Sequence, residues 1–469
     1  MKNEYAILTD FYELTMADGY IVNNIADKPA VFDMFFREAP FNGVYAICYG
    51  LNRALQDIAN MTFTDEIINY LNETDTFSDR FLEYLANWEC ELTIRAIDDG
   101  RIVFPYEPIA EIEGSLLQCQ IIETYLLNCF NFPTLCATKA NRMWLAAEGD
   151  PIIEFGLRRS QGPDGGITAT EAAMAGGCEG TSNVLGGKKI GVTATGTQAH
   201  SWIQAFDTEL EAFRAYAKAF PDTSILLVDT YDTLESGIPN AIKVGKELEE
   251  KGHDFVGIRL DSGDLAYLSK KARKMLDDAG LEDAKIVVSN QIDEHVIKEI
   301  KSKGGKVDIW GIGTKLVTCY DDPALGGVYK LVELDGKPKL KISDNIKKAT
   351  IPSKKRLFRL YNKKGKMTGD IIQLYENKEF EGGKVYDPTN PLFSYEVTDP
   401  DKIESLLKLK MKDGELTEKP RTWKDAQDIM KNEMKNLQEG SKRFLNPHLY
   451  KVSISESLFE LRKQIMESH

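Results

Sequence analysis

Short apolar runs alternate with amphipathic, helix-compatible stretches through the middle of the chain, and no other feature limits the possible folds as strongly. Two helical stretches, Pro239–Lys251 and Leu265–Ala279, are followed by Gly252 and Gly280, and glycine is common where helices end. The apolar runs are Ile152–Phe155, Ile190–Ala194, Ile225–Val228, Phe255–Leu260, Lys285–Val288 and Val307–Trp310. Because strands separated by helices form parallel sheets, the pattern predicts a parallel β/α barrel or a doubly wound sheet.

Glycine and polar residues follow each of the six apolar runs. The segments after the runs are Gly156-Leu-Arg-Arg, Thr195-Gly-Thr, Asp229-Thr, Asp261-Ser-Gly-Asp, Ser289-Asn-Gln and Gly311-Ile-Gly-Thr. One polar ending would carry little information, since loops are polar in any case. Six successive endings at the carboxyl ends of parallel strands predict a functional face, because α/β folds build their sites there.

The two ends of the chain have a different pattern. Residues 28–37 form an alternating strand-like run, and residues 328–343 form two short runs, Val328–Glu333 and Leu340–Ser343, around the turn signal Asp335-Gly336. Arg356–Tyr361 and Asp370–Tyr375 flank a second turn in the same way. We therefore expect a second, mostly antiparallel domain built from both chain ends.

The last part of the chain is rich in Lys and Glu and has helical periodicity around Trp423–Leu437. These patterns together predict four segments. Residues 1–115 begin the second domain, 116–327 form the β/α domain, 328–400 complete the second domain with hairpins, and 401–469 form a helical C-terminal segment.

The charge balance limits the classes of ligand. The chain has 469 residues with 73 acidic and 58 basic side chains, a net charge of −15. A broad nucleic-acid surface needs an excess of Lys and Arg, so we expect no nucleic-acid partner, and any polyanionic ligand requires a local cationic site.

Cysteine usage and the N-terminus indicate the compartment. The seven cysteines form no CxxC pair, which argues against a zinc knuckle and against a disulfide framework. Glu4, Asp10 and Glu13 lie where a signal peptide needs an apolar core, and no apolar run has the length of a membrane span. We therefore expect a cytoplasmic protein with no membrane partner.

Two of the strand endings have the residues of a phosphate site. Gly311-Ile-Gly-Thr314 offers backbone N–H groups and a hydroxyl, although the same residues also suit a tight strand exit. Arg158-Arg159 brings two guanidinium groups beside a glycine-rich segment, and their planar forks bind phosphate or carboxylate; a solvated turn explains them equally well.

Two further strand endings carry acid–base and hydroxyl-binding groups. In Arg259-Leu-Asp-Ser-Gly-Asp, Asp261 could accept hydrogen bonds from two ribose hydroxyls, and Asp264 could cap the helix that starts near Leu265. His200 could be a phosphoryl acceptor, an acid–base group or a structural histidine. These features together predict a site for a phosphorylated sugar, but they do not reveal the reaction.

Longer motifs around the same positions resemble those of nicotinate phosphoribosyltransferases, and the resemblance covers essentially the whole chain in the same order. The motifs are Leu8-Thr-Asp-Phe-Tyr-Glu-Leu-Thr, Phe36-Arg-Glu-Ala-Pro-Phe, Glu154-Phe-Gly-Leu-Arg-Arg, Gly196-Thr-Gln-Ala-His-Ser, Ile258-Arg-Leu-Asp-Ser-Gly-Asp, Gly311-Ile-Gly-Thr-Lys and Asn446-Pro-His-Leu-Tyr-Lys-Val-Ser. The resemblance implies an irregular, TIM-like β/α barrel with a sandwich-like α+β domain. It also implies a homodimer with shared active sites that makes nicotinate mononucleotide for NAD biosynthesis by salvage of nicotinic acid.

The resemblance also implies roles for particular residues. Phe155 and the neighbouring subunit's Tyr12 would stack on the pyridine ring. Arg259 would meet the nicotinate carboxylate or the pyrophosphate, and Asp261 the ribose hydroxyls. The residues that would cradle the 5′-phosphate are Gly311, Gly313 and Thr314. Arg158 and His200 would surround the pyrophosphate, together with Arg37 and either Lys354 or Lys355 from across the interface.

The resemblance implies three small molecules besides nicotinate. Phosphoribosyl pyrophosphate is the sugar donor, and Mg²⁺ is held through its pyrophosphate without direct protein ligands. ATP is a co-substrate that phosphorylates the matching histidine in related enzymes, and His200 inherits this role. One departure affects the basic loop: Ser353 stands where the family has glycine after the proline, so the choice between Lys354 and Lys355 stays open.

Ser182 bears on the choice of acceptor. Relatives that use nicotinamide carry an aspartate at the matching place, where it can accept from the amide N–H. That carboxylate would repel the carboxylate of nicotinate, whereas serine can donate a hydrogen bond to it. Ser182 therefore favours the acid, although a serine at a helix end with no ligand is the alternative.

Other activities remain open on the sequence alone. Enzymes of the same fold use nicotinamide or quinolinate. A phosphosugar aldolase or isomerase could use Lys315 as a Schiff-base residue. A binding or signalling protein on this scaffold would bind the ligand and release no pyrophosphate.

Overall fold

The computed structural model describes residues 3–342, 350–390, 392–398 and 400–468. Its contacts divide the chain into two compact units, Met1–Leu135 with Ala324–His469 and Cys136–Pro323. The predicted segment boundaries at 115/116, 327/328 and 400/401 are not tested by this division and stay a prediction.

The first part of the chain alternates short helices with short strands. Ser78 and Ser115 begin α4 and α5 in the usual way, since their hydroxyls accept hydrogen bonds from backbone N–H groups three residues later. The helices are α1 Phe11–Val22, α2 Leu51–Ala59, α3 Asp65–Glu73, α4 Asp79–Ala86, α5 Leu116–Ile121 and α6 Glu123–Ala147. The strands are β1 Pro29–Phe36, β2 Ala46–Ile47, β3 Thr93–Ala96, β4 Ile102–Val103 and β5 Ala110–Ser115.

The unit Cys136–Pro323 is built on one parallel sheet with the strand order β7-β6-β11-β10-β9-β8. Its strands are β6 Ile152–Glu154, β7 Gly180–Thr181, β8 Ile225–Leu227, β9 Gly257–Leu260, β10 Lys285–Val288 and β11 Ile309–Ile312. Its helices are α7 Gly162–Gly176, α8 Val184–Ile190, α9 His200–Gln204, α10 Glu209–Ala219, α11 Ile238–Glu249, α12 Leu265–Asp278, α13 Glu294–Ser302 and α14 Thr314–Val317. Parallel strands with intervening helices confirm the predicted α/β class.

Five of the six apolar runs in this unit are strands, and the prediction for Ile190–Ala194 is wrong. Helix α8 extends to Ile190, and Gly191 ends it in the left-handed region at φ 73°. The chain then returns beside β7, where the Thr195 N–H donates to the Thr181 carbonyl over 2.9 Å. An apolar run that follows a short helix has the same composition as a strand, so periodicity does not separate them.

The predicted helix boundaries in this unit are close to those observed. Helix α12 starts at Leu265, and the Asp264 carboxylate accepts the Tyr267 N–H over 3.0 Å. The capping interpretation of Asp264 is therefore confirmed. Gly280 follows the helix at φ 72°, a conformation that glycine adopts without steric cost.

The final third of the chain is mostly antiparallel. Its strands are β12 Gly327–Leu334, β13 Lys337–Pro338, β14 Lys355–Tyr361, β15 Met367–Leu374, β16 Gly383–Tyr386, β17 Ser394–Val397, β18 Lys402–Ser405, β19 Lys408–Lys412, β20 Glu415–Leu416 and β21 Val452–Ser455. Its helices are α15 Trp423–Asn436 and α16 Glu456–Glu467. The predicted hairpin is confirmed at β12–β13, where Asp335 and Gly336 both have positive φ, as the turn needs. The predicted second strand, Leu340–Ser343, is wrong: the two-residue turn is followed at once by β13, and residues 340–342 are not in a strand. Ser343 lies outside the described residues.

Strands from both chain ends share the larger sheet of the unit Met1–Leu135 with Ala324–His469, and the smaller sheet contains only strands from the final third of the chain. The larger sheet has the order β13-β12-β1-β5-β3-β19-β20, and the smaller one has the order β17-β16-β21-β15-β14-β18. Strand β1 pairs antiparallel with β5 on one side and with β12 on the other. The prediction of a second domain built from both chain ends is therefore confirmed.

The C-terminal segment contains the predicted helix α15, but strands β18 to β21 also lie within it. The prediction of a helical segment is incomplete here. Lys408–Lys412 reads K-L-K-M-K, and this alternation suits a half-buried strand better than a helix. No helix in the described parts of the chain is both long enough and apolar enough to cross a membrane.

Candidate active site

Polar and cationic side chains meet in a cleft of about 240 Å³ at the carboxyl ends of the parallel strands. The lining residues come from the ends of β6, β7, β9, β10 and β11 and from the segment before α9. They are Phe155, Arg158, Arg159, Ser182, Gly196, Thr197, Gln198, Ala199, Arg259, Asp261, Ser289, Asn290, Gln291, Gly311, Gly313 and Thr314. With three arginines and one aspartate, the cleft is a local cationic site on a protein whose net charge is negative. The net charge of the chain led us to expect such a site for any polyanionic ligand.

Arg259 is held by hydrogen bonds in the middle of the cleft. Its Nε donates to Ser289 Oγ over 2.8 Å, and its Nη1 donates to Thr197 Oγ1 over 2.9 Å and to the Gln198 carbonyl over 3.4 Å. Its Nη2 donates to Asp261 Oδ1 over 2.8 Å. These hydrogen bonds fix the orientation of the guanidinium without a ligand. Its Cζ lies 5.7 Å from the centre of the Phe155 ring.

Asp261 is fixed from three sides. Its Oδ1 accepts hydrogen bonds from Arg259 and from Ser289 Oγ. Its backbone N–H donates to Asp229 over 2.9 Å, and the same Asp229 oxygen accepts from Ser262 Oγ over 2.6 Å. Since Oδ1 is occupied, Oδ2 is the oxygen with room for a ligand hydroxyl.

His200 begins α9 beside these acids, and 41% of its side chain is exposed. Its Nδ1 lies 3.1 Å from Thr230 Oγ1, and its Nε2 lies 3.7 Å from Asp261 Oδ2. The structure therefore brings the predicted histidine and the predicted ribose-binding aspartate together. The exposed fraction leaves the imidazole accessible to solvent.

Glu154 fixes the backbone at the end of β6, beside the cleft. This carboxylate is buried at the end of β6 and accepts hydrogen bonds from the Gly156 N–H, from Thr170 Oγ1 over 3.0 Å and from Thr181 Oγ1 over 2.6 Å. It joins β6, α7 and β7 and so fixes the backbone on either side of Phe155. The sequence analysis gave Glu154 no role of its own.

Gly311 and Gly313 make room for Phe155. A Cβ added to Gly311 would lie 2.6 Å from the Phe155 ring, and one added to Gly313 would lie 2.9 Å from the Phe155 carbonyl oxygen. Contacts below 3.0 Å force a shift, so both positions need glycine for packing. This requirement exists whether or not the same glycines also contact a phosphate.

Arg158 and Arg159 lie in a short 3-10 helix, Leu157–Arg159, and both are exposed. Within the described ranges no carboxylate pairs with either guanidinium, and both side chains line the cleft. Ser182 also lines the cleft, and its N–H donates to the Glu154 carbonyl over 2.9 Å. The cleft thus includes the arginine pair and the serine that the sequence singled out.

Four predicted site residues belong to the other unit, and their surroundings differ. Tyr12 is 46% exposed. Arg37 lies 5.4 Å from the Phe35 ring centre. Lys354 donates to Glu113 over 2.6 Å. Lys355 is fully buried and pairs with Asp33 over 2.7 Å.

Those surroundings separate the two candidate lysines. The Lys355 ammonium also donates to the Ile351 and Ser353 carbonyls, so it is fully used inside the unit. Lys354 lies near the surface over the Tyr375 ring, with 4.3 Å between its Nζ and the ring centre. A ligand can reach Lys354 without unfolding the loop, and it cannot reach Lys355 in that way.

Lys315, the residue considered for a Schiff base, is engaged elsewhere. Its ammonium pairs with Asp293 and lies 4.9 Å from the Tyr320 ring centre. Burial alone would raise the pKa of Asp293, but hydrogen bonds from Lys315 and from the Val296 N–H outweigh it and hold the pKa below its ordinary value. A Schiff-base lysine must be neutral, so this ion pair argues against the aldolase alternative.

Several lining residues were given no role from the sequence, and three of them have a clear part in the structure. Ser289 orients Arg259 and Asp261, Asn290 has a positive φ of 96°, and Gln198 is buried in the wall. The polar run Ser289-Asn-Gln was noted as a strand ending, and a positive-φ asparagine is a signal that sequence alone does not give.

Comparison with known proteins shows which family the chain belongs to. Three family models match successive parts of the chain: the nicotinate phosphoribosyltransferase N-terminal domain over residues 7–131, the family itself over 151–380 and the C-terminal domain over 354–462. A Bacillus subtilis protein named nicotinate phosphoribosyltransferase is 41% identical over 97% of this chain and 94% of its own length. The chain belongs to the nicotinate phosphoribosyltransferase family.

Other members of the nicotinate phosphoribosyltransferase family support the same assignment. A human protein of that name is 34% identical over 96% of this chain and 95% of its own length. The crystal structure of human nicotinic acid phosphoribosyltransferase superposes with a TM-score of 0.87 at 32% identity, covering 97% of this chain and 99% of that one. A nicotinate-nucleotide pyrophosphorylase from Pyrococcus furiosus shares the fold, with a TM-score of 0.72 at 23% identity.

Proposed function

We propose that this chain joins nicotinate to the ribose of phosphoribosyl pyrophosphate, giving nicotinate mononucleotide and pyrophosphate in the salvage of nicotinic acid for NAD. The observation that carries the proposal is the cleft itself. A fixed guanidinium, Arg259, stands between an aromatic ring, Phe155, and a carboxylate, Asp261. Family membership at 41% identity to a protein of that name supports the same reading.

Each part of the cleft suits one part of the substrates. Phe155 offers a flat face for the pyridine ring, and Arg259 offers charge-assisted hydrogen bonds to the nicotinate carboxylate. Asp261 Oδ2 can accept from the ribose hydroxyls. Ser182 can donate to the nicotinate carboxylate, and an aspartate at that place would repel it.

The reaction needs no nucleophile from the protein. The pyridine nitrogen forms a bond to the anomeric carbon while the bond from that carbon to pyrophosphate breaks, and the leaving group takes the electron pair. Arg158 and Arg159 line the cleft without acidic partners in the described chain, so their charge is available to the pyrophosphate. Gly311, Gly313 and Thr314 would hold the 5′-phosphate.

Mg²⁺ would enter with the substrate. No group of three or more His, Cys, Asp or Glu side chains that could hold a metal occurs among the described residues. The ion would be carried by the pyrophosphate oxygens, where it would neutralise part of the charge on the leaving group.

ATP would act through His200. Since Nδ1 is engaged by Thr230, Nε2 is the nitrogen that would take the γ-phosphoryl group while ADP leaves. Water would later break the phosphorus–nitrogen bond and release phosphate, so ATP hydrolysis is coupled to mononucleotide formation. The phosphorylated histidine would add negative charge beside Asp261 and so alter the site for the sugar donor.

The functional form would be a homodimer with shared active sites. Leu8, Phe11, Tyr12 and Met16 leave large apolar or aromatic side chains exposed at the start of the chain. Such a patch marks an interaction surface, and Tyr12, Arg37 and Lys354 would reach the partner's cleft. Free thiols at all seven cysteines fit a cytoplasmic location.

The test of the function is product formation from phosphoribosyl pyrophosphate and Mg²⁺. Nicotinate, nicotinamide and quinolinate are offered in parallel, each with and without ATP. Mononucleotide and pyrophosphate from nicotinate alone, increased by ATP, is the expected result. Turnover of another acceptor would overturn the role of Ser182, and no turnover of any acceptor would overturn the proposal.

A further inference from the structure

Gln198 has a side chain whose hydrogen-bonding groups are not used. It lines the cleft and is only 6% exposed. Neither Oε1 nor Nε2 has a hydrogen-bond partner in the parts of the chain that the structure describes. A buried carboxamide without partners destabilises the protein, so a position of this kind calls for a partner that arrives from outside.

The chemistry of a carboxamide limits what that partner can be. Oε1 only accepts hydrogen bonds and Nε2 only donates them, so a ligand that satisfies both must offer a donor and an acceptor. The carboxylate and the ring nitrogen of nicotinate only accept, and so do the phosphate and pyrophosphate oxygens. Among the groups of nicotinate and phosphoribosyl pyrophosphate, only the ribose hydroxyls offer both.

The position of Gln198 agrees with this choice. One guanidinium connects it to the ribose-binding candidate: Arg259 Nη1 donates to the Gln198 carbonyl over 3.4 Å, and Arg259 Nη2 donates to Asp261 over 2.8 Å. A ribose with one hydroxyl on Asp261 therefore lies near the segment that carries Gln198. The glutamine side chain has three rotatable bonds, which allow its amide to turn toward that ribose.

We propose that the Gln198 carboxamide binds the ribose hydroxyls of the phosphoribosyl group and so makes the site selective for ribose over deoxyribose. The proposal rests on the proposed function, because the phosphoribosyl group is the ligand. It assigns a binding residue to the sugar beside Asp261.

The test compares the affinities of two proteins for ligands with and without a ribose hydroxyl, starting from unliganded protein. Affinities for nicotinate mononucleotide and for its 2′-deoxy and 3′-deoxy counterparts are measured by calorimetry for wild type and for Gln198→Met, which keeps the side-chain length. Wild type should lose about tenfold or more in affinity with at least one deoxy compound, because the amide then stays unpaired. For the compound that lacks the hydroxyl bound by Gln198, the loss in Gln198→Met should shrink to within about threefold, because the variant has no amide left unpaired. The compound that lacks the hydroxyl bound by Asp261 should lose affinity equally in both proteins.

Stability separates a binding role from a structural one. The Gln198 carboxamide has no partner among the described residues, so Gln198→Met should melt at the wild-type temperature or above it. Gln204→Leu, on the exposed side of α9, is the matched control and should keep both the wild-type affinities and the wild-type melting temperature. Gln198→Leu serves as a second variant if Gln198→Met aggregates.

The outcomes distinguish this inference from the function on which it rests. Equal losses for the deoxy compounds in wild type and in Gln198→Met would overturn the role of Gln198, provided that the wild type makes mononucleotide from nicotinate. A wild type that binds no mononucleotide and makes none would overturn the proposed function itself.

Discussion

Arg259 shows how much of the cleft depends on one side chain. It donates to Ser289, Thr197, the Gln198 carbonyl and Asp261, and these partners come from the ends of β9 and β10 and from the segment before α9. A lysine has no planar fork and could not hold all of them in fixed positions. The guanidinium therefore orients its neighbours as well as presenting charge to a ligand.

Ser182→Asp should move the acceptor preference from nicotinate toward nicotinamide. An aspartate in the cleft would repel the carboxylate of nicotinate and could accept from the amide N–H of nicotinamide, which we expect to change the ratio of kcat/KM values by about a hundredfold. Kinetics with both acceptors measure that ratio. Ser182→Asn separates charge from size, since it has the shape of aspartate and should leave the acid preferred. An unchanged ratio in Ser182→Asp would reject the role of Ser182.

His200→Ala should abolish the stimulation by ATP and leave a slow basal synthesis. The variant lacks the nitrogen that would take the phosphoryl group, whereas Arg259 and Asp261 stay in place. Initial rates with and without ATP measure the effect, together with transfer of label from γ-labelled ATP to the protein. His253→Ala removes an exposed imidazole that lies 2.7 Å from Asp222 and should behave as wild type. Stimulation that survives in His200→Ala would rule out the phosphohistidine.

Residue types and their order along the chain predicted much of the cleft. The arginine pair and Asp261 were found because they follow apolar runs, and Ser182 was found through the family resemblance. Gln198 was not found, because a lack of partners is a property of the folded wall and leaves no trace in composition. Glu154 was missed because its partners, Thr170 and Thr181, are distant in sequence.

At the scale of elements, the Phe155 ring that follows β6 packs against β11 only because residue 311 is a glycine. Gly311→Ala would bring a methyl group to about the 2.6 Å position beside the Phe155 ring, and the ring would have to move. We expect kcat/KM for nicotinate to fall by about ten- to a hundredfold, because a misplaced ring loses the stacking geometry.

Steady-state kinetics on Gly311→Ala check this expectation, with a thermal melt to establish folding. Gly326→Ala is the control, because nothing lies within 4 Å of the added Cβ. A wild-type KM for nicotinate in Gly311→Ala would mean that the Phe155 ring does not hold the substrate.

Helix α1 carries a buried acid, Glu13, whose titration should be visible in stability. Burial raises its pKa from 4.5 to about 7, although hydrogen bonds from Thr124 and Thr9 oppose the shift. The folded state therefore holds the proton more tightly than the unfolded state does. The stability from this group is fully present below pH 4.5 and is lost as the pH rises through about 7.

Glu13→Gln removes that titration and still offers an acceptor to the Thr124 N–H, which donates to Glu13 over 3.0 Å. Relative to wild type, the variant should gain about 1–3 kcal/mol in the free energy of unfolding between pH 5 and pH 8. Denaturant titrations at several pH values measure the difference. A difference that does not change with pH would contradict the raised pKa.

Two elements could not be predicted from the sequence, and each failure has a clear physical reason. The run Ile190–Ala194 has the composition of a strand, but Gly191 turns the chain out of α8 there. Strand β7 has two residues, Gly180–Thr181, too few for any periodicity to emerge. The hairpin at Asp335-Gly336 was predictable because its signal is entirely local.

At the scale of the whole molecule, the proposed sharing of active sites between subunits can be tested with mixed dimers. Tyr12→Ala and Arg259→Ala should each be nearly inactive alone. If Tyr12 reaches the partner's cleft, a mixed dimer has one site with both defects and one site with neither. Random exchange of subunits should then restore about a quarter of the wild-type activity.

Activity after co-refolding of the two variants measures this recovery. The matched control mixes Phe155→Ala with Arg259→Ala, both in the same cleft, and no intact site can form. Recovery in the first mixture and none in the control is the expected pattern. No recovery in either mixture would mean that each subunit completes its own site.

The pairing of β1 with β12 has a consequence for biosynthesis. Strand β1 is made early, but its partner begins at Gly327, and β3 waits longer still for β19 at Lys408. All strands of the parallel sheet are contiguous in Cys136–Pro323, so on the ribosome that sheet can close while β1 still has an open edge. Unpaired edges attract other chains. A nascent chain of this protein therefore needs protection at its N-terminal strands until translation has passed Lys412.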